Sequence, residues 1–118
     1  MEIRVIKNPI FLSDVVKLAQ AQFGDMIKAA VDVQREVLAI GGELHADEES
    51  LLLEDGSQQE HLWGINIYPE KPPEDRIEFD SMINVRPSQN NRSRGVENPE
   101  IQTRILHIVK KMILPQSL

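Results

Sequence analysis

Apolar and polar positions alternate from the first residues. Ile3 and Val5 stand against Glu2 and Arg4, which predicts a first strand over Met1 to Ile6, stopped at Asn8-Pro9 because proline cannot continue a ladder. Ser13 then reads as a helix N-cap, Asp14 suits the positive end of the helix dipole, and Gly24 supplies a left-handed exit, so the first helix spans about Asp14 to Phe23. Between Met26 and Ile40 two periods compete. Ile27, Ala30, Val31, Val37 and Leu38 partly satisfy a helical stripe, whereas Val31, Val33, Val37 and Ala39 fit alternation. The β-branched content favours two short strands, with Gln34-Arg35-Glu36 as a polar turn and Gly41-Gly42 as a stop. Ala46 or Asp47 opens a short helix running through Leu53 to Gly56, although three consecutive leucines from Leu51 would also serve a buried strand turned at Asp55-Gly56.

The later pattern is clearer. Trp63, Ile65 and Ile67 share one face of a strand over Leu62 to Tyr68, with Asn66 and Tyr68 on the other. Beyond a rigid connection containing Pro72 and Pro73, Ile77, Phe79, Ile83 and Val85 alternate with polar or exposed positions, predicting the second half of a hairpin. Asn98-Pro99 starts a helix whose apolar stripe is Ile101, Ile105, Ile108, Val109 and Met112, with Lys110 and Lys111 at its negative end and Pro115 beyond. This order predicts an α+β fold: a mainly antiparallel sheet of about 4–5 strands with 2–3 helices packed on one face. At 118 residues the chain suits a single domain, 1–118.

Charge adds a second pattern. Glu36 to Glu70 holds nine carboxylates and no Lys or Arg, while Arg86, Arg92 and Arg94 fall in an acid-free stretch from Ser81 to Val96. Such blocks can form complementary surfaces or a cation site facing an anion site. The net charge of -6 disfavours duplex nucleic acid, whose phosphates require clustered Lys and Arg. With no Cys, disulfides, thiolate metal sites and a Cys nucleophile are excluded. No apolar run has the length of a membrane span or the form of a signal peptide, so the expected setting is the cytoplasm with no membrane partner.

The densest chemical constellation runs from Gly41 to Glu49. If extended, it projects Glu43, His45 and Asp47 to one side, two oxygen donors and an imidazole that can hold a divalent metal ion, with Glu54, Asp55 or His61 as completing ligands. The plainer alternative makes Asp47 a helix cap and Glu48 and Glu49 first-turn acids. No HExxH or other defined ligand motif is present. As a catalytic candidate, His45 with Asp47 or Asp32 would be an oriented general base, but Ser50, Ser57 and Ser81 lie outside any nucleophile-elbow pattern.

The second constellation, Asn84 to Gly95, concentrates guanidinium forks, amides and hydroxyls. Arg86, Ser88, Gln89, Asn91 and Arg92 form a candidate anion site for a small phosphorylated ligand, set against a solvated loop whose Asn and Ser satisfy turns. No aromatic residue lies in it to stack a base, which counts against single-stranded nucleic acid. Trp63 reads as a core anchor with its N–H on a local acceptor, and Gly64 as a place of close approach or a bulge.

Taken together, Val31-Asp32-Val33, Gly42 to Asp47, Leu51 to Ser57, Leu62 to Asn66 and Ile77 to Ser93 resemble a small prokaryotic family known only as a domain of unknown function. The resemblance spans nearly the whole chain. It implies one intact domain and a bacterial or archaeal cytoplasmic setting, and it carries no activity, cofactor or partner. The function expected from the residues is that of a small binding or regulatory protein, its acidic segment 36–70 and Arg/Asn-rich loop 86–95 forming a recognition surface for a protein partner or a second copy. The alternative is a metal-assisted hydrolase or nuclease-like enzyme in which Glu43, His45 and Asp47 hold the ion and Arg86 or Arg92 clamps a phosphoryl oxygen.

Overall fold

The computed structural model describes residues 2–115; Met1, assigned above to the first strand, lies outside the described residues. Strands β1 (Arg4–Ile6), β3 (Ile27–Asp32), β4 (Val37–Ile40), β5 (Leu62–Ile67) and β6 (Ile77–Glu78) form one antiparallel sheet in the spatial order β1-β4-β3-β5-β6. A separate parallel pair joins β2 (Ile10–Phe11) to β7 (Ile113–Leu114). The helices are α1 (Leu12–Ala21), α2 (His45–Glu54) and α3 (Pro99–Met112). This is the expected α+β class. No helix among the described residues is long and apolar enough to cross a membrane.

The helices are not confined to one face, as the pattern had suggested. Ile27, Ala29, Val31, Leu38, Trp63, Ile65 and Ile67 form a core with Val15 and Ala19 of α1 and Ile105, Ile108, Val109 and Met112 of α3. The reverse face packs Ala30, Val37, Ala39 and Leu62 against Leu52 of α2, the two alanines leaving room for the helix. Strands β3 and β4 are therefore covered on both sides. A strand buried on both faces loses its polar alternation, which is why residues 27–40 gave two competing periods.

Capping decides the boundaries. The first helix starts at Leu12 and not after Ser13, with the Asp14 carboxylate accepting from the Phe11 N–H at 3.2 Å. Gly24 has the positive φ, 97°, expected of a helix exit. Asn98 Oδ1 accepts from the Glu100 N–H at 2.9 Å and Pro99 opens α3, as the sequence indicated. Asp32 Oδ1 accepts from the Gln34 and Arg35 N–H groups at 2.8 and 2.9 Å, fixing the β3–β4 turn.

The strand expected from Ile77 to Val85 stops after Glu78. Ser81 draws the Ile83 N–H onto its hydroxyl at 3.2 Å, and Met82–Asn84 becomes a 3-10 turn. Ile77 and Phe79 pack in the α1/α3 core, whereas Ile83 packs on the α2 side, so the chain changes face at Ser81. Only Asn66 and Ile67 of β5 then have β6 as a partner.

The rest of that edge is closed by side chains. Asn84, fully buried, accepts the Gly64 N–H at 2.8 Å and donates to the Gly64 C=O at 3.0 Å, as a neighbouring peptide would. Gly64 makes room for Ser81 just ahead of the Met82–Asn84 turn, since a Cβ there would lie 2.5 Å from the Ser81 Cβ. The register through Gly64 is unbroken, with no bulge. Replacing Asn84 by Ala strands both Gly64 groups and is expected to lower unfolding free energy by about 2–4 kcal/mol. Urea denaturation measures this, and a loss below about 0.5 kcal/mol would contradict the edge-closing role.

Candidate functional site

The Glu43 to Asp47 run is not extended. Leu44 is the N-cap of α2 and His45 its first residue, so Asp47 stands in the first turn with Glu43 outside the helix, both exposed. His45 is buried, its Nε2 2.8 Å from the Ile65 carbonyl. A carbonyl only accepts, so Nε2 carries the proton, and burial holds the imidazole below its ordinary pKa against the effect of that hydrogen bond. Neither Asp32 nor Asp47 is hydrogen-bonded to the ring; Asp32 serves the β3–β4 turn instead. Of the other proposed ligands, Asp55 pairs with Arg35 at 2.7 Å and Lys7 at 3.1 Å. Among the described residues, no group of three or more His, Asp or Glu side chains is arranged to hold a metal ion.

Glu48, one turn into α2, has no solvent exposure. Its Oε2 accepts from the Gly42 N–H at 2.9 Å, and its Oε1 has no partner among the described residues. A Cβ on Gly42 would sit 2.7 Å from the Glu48 Cγ, so the Gly41-Gly42 sequence serves close packing as well as a turn. Burial pushes the Glu48 carboxyl up to about 9, opposed by the Gly42 hydrogen bond and Lys28. It is a neutral acid at pH 7.

The acidic segment and the Arg-bearing loop do meet, inside the fold. Arg86 donates from both terminal nitrogens to the carbonyls of Gln59 and Leu62, and its guanidinium stacks 4.2 Å from the centre of the Trp63 ring. Trp63 is the expected core anchor, but its N–H has no acceptor among the described residues. Gln89 donates to the Glu60 carbonyl at 3.0 Å. Asn91 is buried; its amide donates to the carbonyls of Asn84 and Gly95, and its Oδ1 accepts from the Glu97 N–H. Arg94, outside the candidate set, pairs with Asp80 at 2.6 Å. Of the five candidate anion ligands, Arg86, Gln89 and Asn91 are thus engaged by the protein itself. Ser88 and the Arg92 side chain stand exposed, with no hydrogen bond among the described residues.

The best-formed cleft lies elsewhere, on the α1/α3 face at the β5–β6 end of the sheet. It measures about 430 Å³. Ile67 and Ile77, directly paired across β5 and β6, line it together with Leu106, Val109 and Ile113 near the end of α3. Leu12 and Pro115 contribute from the two chain segments tied by β2 and β7, and Pro73 and Arg76 from the connection before β6. Another cleft, lined by Glu2, Ile3, Asp47, Ser50, Leu51 and Glu54, presents three exposed carboxylates and little apolar depth.

The family model described as Protein of unknown function (DUF5674) matches residues 4–112, which takes in every element of the sheet and all three helices. The chain belongs to that family. No curated protein and no solved structure matches it. Nothing can therefore be transferred to the DUF5674 domain, and its geometry must carry any functional reading. The cleft was hidden in the sequence because its residues come from four separated segments and its apolar members look like ordinary core. A partial signal was Leu106, an apolar residue of α3 outside the stripe that faces the sheet.

Burial of Glu48 makes the domain's stability pH-dependent. The folded state keeps a proton that the unfolded chain, with its ordinary value of 4.5, releases, so stability falls as pH rises from about 4.5 towards 9. Glu48→Gln keeps the acceptor for Gly42 without the ionisable proton. Thermal and urea unfolding should show the variant gaining on the parent by about 3–5 kcal/mol between pH 4.5, where the two are within about 1 kcal/mol, and pH 8. Parallel stability curves for the two proteins across that range would refute the assignment.

Proposed function

We propose that the domain is a binding protein whose ligand is a small molecule with a largely apolar body, seated in the cleft beside α3. The observation that carries this reading is the paired floor of Ile67 and Ile77 beside Leu106, Val109 and Ile113, enclosing about 430 Å³. Small-molecule sites fall at roughly 300–1,000 Å³ and are lined mainly by apolar side chains with few polar groups. Leu106 supports it further: at 44% exposure it costs hydration at the cleft without filling the core. A cytoplasmic setting belongs to the same reading, resting on the family resemblance alone.

The test uses an uncharged, environment-sensitive dye such as Nile red. Native protein is expected to bind it saturably at one site. Leu106→Glu, which places a charge at the cleft, should weaken binding about tenfold or more, equivalent to ~1.4 kcal/mol. Leu53→Glu is the matched control, because Leu53 is 40% exposed on α2, across the sheet. Absence of saturable binding, or equal loss in the two variants, would reject the cleft as the site.

A further inference from the structure

The polar end of the occupant can be read from the charges at the cleft, an inference that rests on the binding reading above. Only two of the lining residues are charged, and both are cations, Arg76 and Lys110. Neither has an ion-pair partner among the described residues, although four other cations, Lys7, Arg35, Arg94 and Lys111, each have a carboxylate within 3.1 Å. The lack of a partner is not for want of nearby acids, since Glu74 and Asp75 immediately precede Arg76 and remain exposed.

Arg76 is the more telling of the two. It is partly buried, its Nη2 donates to the Lys71 carbonyl at 3.1 Å, and its Nε is enclosed with no acceptor. One hydrogen bond thus holds one end of the guanidinium and leaves much of its donor capacity unspent beside an apolar wall. A partly desolvated cation without a counter-charge is costly, and a guanidinium fork next to low-dielectric surface favours a planar anion.

We propose that the cleft takes a molecule with an apolar body and a carboxylate, the body lying against Ile77 and Leu106 and the carboxylate meeting Arg76 and Lys110. The ligand then completes the electrostatics of the site: the carboxylate supplies the missing counter-charge, and the apolar body displaces water from half-buried Ile77 and exposed Leu106.

Displacement of Nile red by three ten-carbon chains at pH 7.5 and low salt tests this: decanoate, decanol and decyltrimethylammonium. Decanoate is expected to bind at least about tenfold more tightly than decanol, with the cation weakest. Arg76→Gln and Lys110→Gln should each reduce that preference severalfold, weakening decanoate more than decanol, and Arg76→Lys should retain part of it. Raising the salt concentration should narrow the gap between decanoate and decanol. If native protein binds decanol as well as decanoate, the head-group assignment is wrong and the apolar site survives. If neither chain nor the dye binds, the cleft reading itself falls. Should Arg76→Gln melt early, Lys110→Gln at the exposed rim decides: an unchanged preference there overturns the proposal.

Discussion

The outer edge of β5 is the constraint around which the molecule is arranged. A sheet edge presents N–H and C=O groups that must be paired or wetted, and here β6 supplies a partner for only two residues. Asn84 takes over at Gly64 with both functions of its amide, and Arg86 takes the Leu62 carbonyl. Holding Asn84 there requires a fixed loop, which explains the buried Asn91 as a hub for the carbonyls of Asn84 and Gly95 and the N–H of Glu97. The Asn-rich composition of this loop is therefore that of a polar plug closing a strand edge.

The same detour shapes the opposite side of the sheet. Because the chain turns to the α2 face at Ser81 and returns only at Val96, nothing from this loop covers Ile67 and Ile77 on the α3 face. The cleft is what remains between that paired strip, α3 and the Pro73–Arg76 connection. Edge closure and the candidate binding site are two consequences of one chain path.

Charge follows a similar logic. The acidic segment from Glu36 to Glu70 and the Arg-bearing stretch look complementary along the chain, and part of that complementarity is spent within the fold: Arg86 lies against the backbone of residues 59–62, and its charge acts on half-buried Glu49. Arg94 goes to Asp80, which lies just outside either block. What stays unpaired at a built cavity is the pair Arg76 and Lys110, which no clustering in the sequence marks out. Glu48, by contrast, sits in the acidic block and behaves as a buried neutral acid, so counting it as surface charge overstates the block.

Local chemistry was sufficient wherever it acts over a few residues. Asn98-Pro99 opens α3 through its own side chain and ring, Gly24 permits a left-handed exit, and the period-two apolar row of Trp63, Ile65 and Ile67 marks one covered face. Those features, with the β-branched content of residues 27–40, determined the antiparallel α+β class and the order of the main-sheet strands and helices. Which face each helix covers, where the second hairpin strand ends, and how His45 and Arg86 are employed depended on partners 20 or more positions away, through contacts such as Asn84 to Gly64 and Arg104 to the Val33 carbonyl. Periodicity reports that a side chain is covered; only the packed fold decides what covers it, and so which polar groups are consumed by structure and which are left for a ligand.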